Sequence, residues 1–218
     1  MSKASVLQRL CDDQLIALLA AQDVEQMTLL TDALIAGGIN HWELPMSCPA
    51  IPNWLGQISQ KYPDFQFGLS TVIDTDTARR GIIAGARFIS TPALRPEVIL
   101  LCRRYQIPVI CGVHSVKEMD AALLVGADAL KLYPSGDRFG PTHVREMRAE
   151  FPDAKLFAVG GVTAANAVDF SEAGADAMFV SSCLRDPEDK APISAATITQ
   201  KAKALSDALK TAPASEIS

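Results

Sequence analysis

Four times along this 218-residue chain, a glycine among small residues is followed at once by a short apolar run. Ala36-Gly37-Gly38 leads into Ile39 to Leu44, Ala84-Gly85-Ala86 into Arg87 to Ser90, Val125-Gly126-Ala127-Asp128 into Ala129 to Leu132, and Ala173-Gly174-Ala175-Asp176 into Ala177 to Val180. Each reads as a helix ended by a left-handed glycine and followed by a strand. The glycines at 37, 85, 126 and 174 are 41 to 48 residues apart. One strand-helix unit takes only about half of that, so each interval must hold a second strand and helix. Those strands are visible at Phe65 to Thr71, Ile107 to Cys111 and Lys155 to Val159, with a first at Leu15 to Ala20, which makes eight.

Helical patterns separate the strands at 51–61, 75–84, 96–105, 116–125, 141–150, 165–173 and 193–210; Met27, Leu30, Leu34 and Ile35 form another behind an N-cap at Asp23. Eight alternating units close most naturally into a (β/α)8 TIM barrel, an α/β fold. A doubly wound open sheet would want a nucleotide fingerprint that the chain lacks. The expectation is a single barrel domain over 1–210, opened by a short N-terminal helix at Ser5 to Leu10, with a frayed tail at 211–218.

A net charge of −5 and a pI near 5.2 argue against a nucleic-acid or anionic membrane partner, while anionic small substrates need only a local basic pocket. No apolar signal core follows Met1 and no run of about 18 apolar residues occurs, so the reading is a cytoplasmic protein. The five cysteines contain no C-x-x-C pair and read as packed, reduced thiols. His41, His114 and His143 lack ligand spacing, and His143 falls on a predicted surface helix, so no metal is expected. No cofactor is expected either.

One strand carries a lysine in its interior. Alternation along Ala129-Leu130-Lys131-Leu132-Tyr133-Pro134 sends Ala129, Lys131 and Tyr133 to one face. A lysine that is kept neutral in an apolar interior is a nucleophile for carbonyls; one at a strand end that snorkels to water is only a solvated charge. Glu43, alternating with Trp42 and Leu44, should look into the same interior. The pair is either a buried ion pair, which contributes little net stability, or the acid-base half of a reaction. Desolvation favours the neutral amine and a touching carboxylate the ammonium, so desolvation is expected to win only if a water separates the two.

In such a barrel chemistry lies at the C-terminal strand ends. Those ends supply Glu43, Thr71, Pro92, Cys111 to His114, Lys131, Gly160-Gly161 and Ser181-Ser182. Gly160-Gly161-Val162-Thr163 is expected to close the seventh strand and open the next helix, whose amides and dipole can hold a phosphate, with the Ser182 hydroxyl beside them. Tyr133 and Phe139 read as pocket wall.

Glu43-Leu44-Pro45-Met46, Ser70-Thr71-Val72, Thr91-Pro92, Leu130 to Ser135, Phe139-Gly140-Pro141 and Val159 to Thr163 stand in the order and spacing of one family. From about Leu15 to Leu184 the chain resembles the 2-keto-3-deoxy-6-phosphogluconate aldolases, which include 6-phosphogalactonate and 4-hydroxy-2-oxoglutarate aldolases. The resemblance implies a homotrimeric, metal-free lyase that works through an imine and binds a phosphorylated keto acid and pyruvate. Lys131 matches the Schiff-base lysine, Glu43 the general acid/base, Thr71 a carboxylate ligand, and Gly160, Gly161 and Ser182 the phosphate positions. Pro92 falls in the matching Thr-Pro. Ser47 stands as a substrate-side residue where the family carries arginine or asparagine, and Ala20 where some members carry arginine. The substrate carboxylate is then expected to be held either weakly or by Arg138 or Arg95 from a loop. Pro45 and the Phe139-Gly140-Pro141 step look closer to the galactonate branch. The alternatives are a 4-hydroxy-2-oxoglutarate-type aldolase, or a phosphate-binding barrel, epimerase or non-catalytic binder, that leaves the lysine unused.

Overall fold

The structure of the protein, a computed structural model, describes residues 2–135, 140–185 and 194–211. Strands β1 (Leu15–Leu18), β2 (His41–Pro45), β3 (Gln66–Ser70), β4 (Phe88–Thr91), β5 (Val109–Val113), β6 (Ala129–Leu132), β7 (Leu156–Val159) and β8 (Ala177–Val180) form one sheet. Helix α1 (Lys3–Asp13) precedes β1, and α2 (Val24–Ala36), α3 (Ile51–Lys61), α4 (Thr75–Ile83), α5 (Pro96–Arg104), α6 (Val116–Val125), α7 (Gly140–Glu150), α8 (Ala167–Glu172) and α9 (Ala195–Thr211) follow the strands in turn. Each strand pairs in parallel with the next, and β1 pairs with β8, Leu15 opposite Met178, so the ring closes into a (β/α)8 barrel. Phe139 and Arg138, and the tail beyond Thr211, lie outside the described residues.

Because neighbouring side chains on a strand face opposite ways, each strand feeds two cores. Trp42, Leu69, Ile89, Leu130 and Met178 pack outward under the helices. Ile16, Phe88, Ile110, Phe157 and Phe179 fill the barrel, together with Leu10 from α1.

The repeated glycine steps do two things. Gly38, Gly85, Gly126 and Gly174 take φ of 84° to 104°, where a side chain would be strained, and so reverse the chain out of each helix. The first step differs from expectation: Gly37 stays at φ −87° and Gly38 makes the turn. Gly37 is needed for a different reason, since a Cβ there would overlap Ala202 of α9. In the last two steps the following aspartate ties neighbouring strands at their feet: Asp128 accepts the Val109 amide at 2.9 Å, and Asp176 the Leu156 amide at 2.8 Å.

Helix α1 closes the N-terminal end of the barrel. At its last residue, Asp13 Oδ2 lies 2.7 Å from Nε2 of His41, which is fully buried at the start of β2. That hydrogen bond, with the His41 charge, the Asn40 amide and Arg9, holds the Asp13 carboxyl below its usual range against the opposing effect of burial. A carboxyl depressed by folding contributes stability that is present above its unfolded value near 3.9 and lost as pH falls through the folded value. Asp13→Asn is therefore expected to lower the melting temperature by about 2–4 °C at pH 7, with the difference from the parent shrinking as pH falls below the unfolded value near 3.9. Equal losses in thermal melts at pH 7 and well below that value would show that the carboxylate charge is not the cause.

Candidate active site

At the C-terminal end of the barrel a cavity of about 540 Å³ opens, within the range typical of small-molecule sites. Its wall takes Leu18, Leu19 and Ala20 from the end of β1, Pro45 from β2, Ser70 and Thr71 from β3, Ser90, Thr91 and Pro92 from β4, Gly112 from β5, Lys131 and Tyr133 from β6, Val159 from β7, and Ser181 and Arg185 after β8. Lys131 is on the wall and only 8% exposed; Glu43 is fully buried beneath it.

Lys131 Nζ lies 2.5 Å from Glu43 Oε2, 3.3 Å from Ser90 Oγ and 3.8 Å from the centre of the Phe179 ring. An ammonium has three N–H donors, and here each has a partner: a carboxylate, a hydroxyl and a ring face. The four side chains come from β2, β4, β6 and β8, the alternate-strand set that makes one interior layer of such a barrel. The contact between Lys131 and Glu43 is direct, leaving no room for a water between them. Strands β2 and β6 stand across the ring from each other, and both side chains are long enough to meet on its axis. The other oxygen, Glu43 Oε1, is buried without a hydrogen-bond partner among the described residues.

A family model described as KDPG and KHG aldolase matches residues 6–204. The chain belongs to this aldolase family. It is 32% identical over 162 residues to the 2-dehydro-3-deoxy-6-phosphogalactonate aldolase of Escherichia coli, covering 73% of this chain and 78% of that protein. It is 28% identical over 169 residues to the 2-dehydro-3-deoxy-phosphogluconate aldolase of Pseudomonas aeruginosa, covering 77% of each. A solved structure, "Native KDPGal structure", superposes with a TM-score of 0.81 at 29% identity, covering 90% of this chain and 94% of that one.

The other expected site residues fall into two groups. Thr71 and Pro92 line the aldolase cavity. Thr71 does so with φ at 59°, a conformation that a β-branched residue adopts only under constraint. Ser47, Gly160, Gly161 and Ser182 do not line it, although Val159 and Ser181 beside the last three do. Ser47 is exposed beyond the end of β2. The turn after Gly160-Gly161 leads to α8, which begins at Ala167, two residues later than expected, and is six residues long. The Thr163 amide in that turn is given to Asn166 Oδ1 at 2.7 Å.

Arg95 is also off the cavity, with Nη1 donating to Leu94 O at 3.0 Å. Arg185, which no motif flagged, is on it; Lys131 and Arg185 are the charged residues among those lining the wall. Cys111 packs in the outer core, where burial pushes its thiol up, while His114 is exposed. His143 is buried against the His114 ring, at 5.3 Å between centres, rather than on the surface, and burial holds it below its usual range. Among the described residues no three His, Cys, Asp or Glu side chains form a cation site.

Proposed function

We propose that the protein is an imine-forming aldolase that reversibly cleaves a 2-keto-3-deoxy-6-phospho-sugar acid to pyruvate and glyceraldehyde 3-phosphate. The observation that carries the reading is the direct Lys131–Glu43 pair on the floor of the cavity. In this scheme the pair parts as substrate enters, Glu43 keeping the proton that Lys131 gives up. The amine lone pair attacks the C2 carbonyl, one N–H proton passes to the new C2 oxygen, and the proton held on Glu43 leaves with that oxygen as water, so that a protonated imine and a free carboxylate remain. Glu43 then takes the C4 hydroxyl proton. The C3–C4 bond breaks, its electron pair is drawn into the imine as an enamine, and the aldehyde leaves. Glu43 returns the proton to C3, and water releases pyruvate from Lys131. Without the imine as electron sink the C3 carbanion would have nowhere to put its charge.

Thr71 holds the substrate carboxylate in this reading, which accounts for its strained backbone, and Pro92 packs beside the pyruvyl methylene. Arg185 pairs with the substrate phosphate, since Lys131 is already matched by Glu43 and the substrate brings two anionic groups. The turns at Gly160-Gly161 and Ser182 stand behind the phosphate rather than on the cavity wall. The phosphogalactonate type is favoured by two relatives, at 32% and 30% identity, that bear that name, the second from Rhizobium meliloti as a probable enzyme. We place it as a cytoplasmic homotrimer; Leu124, 79% exposed on α6, is apolar surface available to an interface.

Pyruvate release from phosphogalactonate-type, phosphogluconate-type and unphosphorylated 2-keto-3-deoxy acids tests the reading, and no release from any of them would end it. Arg185→Ala is expected to raise KM for the phosphorylated acids about 10- to 100-fold, the worth of a hydrogen bond to a charged group, and to leave the unphosphorylated ones within about twofold. An equal loss on both would move the guanidinium from the phosphate to the carboxylate.

A further inference from the structure

We propose that Ser90 is a third catalytic group, whose Oγ accepts the one hydrogen that stays on the Lys131 nitrogen from carbinolamine through imine and so leaves Glu43 free to serve the substrate. The inference rests on the aldolase reading above. Ser90 is 1% exposed, yet lines the cavity, and its Oγ touches the reacting nitrogen at 3.3 Å. The even-strand layer places it between the strands of Glu43 and Lys131, so it reaches Nζ from a side the carboxylate does not occupy.

The need for it follows from counting hydrogens on one atom. As the ammonium, Nζ has three N–H bonds and three partners; when its lone pair bonds to C2 and water has left, one N–H remains. Glu43 is wanted at that moment on the C4 hydroxyl, and the Phe179 ring face is a weak acceptor. A positively charged N–H with no acceptor in an apolar layer is costly, and Ser90 Oγ is the remaining oxygen on Nζ. Ser90 transfers no proton and forms no bond to carbon; it holds the imine N–H and, through it, the plane of the C2=N bond. A serine there only to fill space would leave the chemistry indifferent to its hydroxyl.

The test uses the full-length protein with Ser90→Ala and Ser90→Thr. The readouts are thermal melts, steady-state cleavage, and the rate at which borohydride traps pyruvate on Lys131. For Ser90→Ala the expected result is a fold kept, KM within about threefold, and kcat and trapping rate both down about 10- to 100-fold. Ser90→Thr should restore most of both. Unchanged kcat and trapping in Ser90→Ala would overturn the proposal, as would a loss in KM alone, which would make Ser90 substrate wall. A Ser90→Thr variant with a parental melting temperature and no recovery also counts against it. The parent enzyme separates the two levels: no pyruvate adduct at its Lys131 sinks the aldolase reading itself, whereas an adduct formed equally fast in parent and Ser90→Ala sinks only the role of Ser90.

Discussion

Lys131→Ala should lose cleavage by at least about 10⁴-fold, with no residual adduct when pyruvate and borohydride are added. Among the described residues no other group on the cavity wall can form an imine; Arg185 has no nucleophilic lone pair and Ser181 cannot make a C=N bond. A mass spectrum that still shows pyruvate's added mass on the peptide around residue 131, or an adduct elsewhere with activity kept, would refute the imine. The same substitution carries a stability consequence. It strands Glu43, 0% exposed, with neither carboxylate oxygen paired, and breaking a buried pair from one side costs about 3–5 kcal/mol. Removing both charges is a different matter, because the pair's attraction is largely offset by the desolvation of its two ions. Lys131→Met with Glu43→Gln should therefore melt well above Lys131→Ala, close to the parent. A double variant no more stable than the single one would mean that the alanine's effect is cavity formation, not an orphaned charge.

How much of this was legible in the chain depends on how far apart the deciding residues lie. The barrel follows from local signals repeated along the sequence: a glycine that ends a helix, an aspartate that follows it, an apolar strand of four or five residues. Lys131 and Glu43 are legible for the same local reason, since alternation beside Leu130, Leu132, Trp42 and Leu44 gives the direction of each side chain without knowledge of its partner. That they touch without a water is not local, because it depends on the diameter of the closed ring. Ser90 is invisible for that reason too: a serine at the end of a strand has many uses, and its partner is 41 positions away. Gly160-Gly161 is legible as a turn after β7, but that neither glycine reaches the cavity wall, and that Asn166 takes the Thr163 amide, depends on how the loop folds back. Arg185 follows the last strand as one polar residue among several, and only the closure of β8 onto β1 turns it toward the cavity.

Glu43→Gln should separate the two halves of the reaction. Imine formation with pyruvate involves no C4 hydroxyl, so borohydride trapping on Lys131 is expected to persist within about tenfold. Cleavage of the full keto acid needs a base at that hydroxyl, and loss of a positioned general base costs about 10²- to 10⁴-fold. Exchange of the pyruvate methyl hydrogens with deuterated solvent should fall with cleavage, because it asks the same carboxylate to move a proton to and from C3. Glutamine keeps the length of the side chain and can still accept from Nζ, so packing around Lys131 and Phe179 is retained while the proton acceptor is lost. Trapping and cleavage that fell by the same factor would mean that the proton Glu43 takes from Lys131, and not the C4 hydroxyl proton, limits both reactions. The contrast with Lys131→Ala is what gives the pair its assignment: one substitution should remove both activities, the other only the one that requires a proton to leave oxygen, and no arrangement in which the carboxylate merely balances the lysine's charge produces that asymmetry.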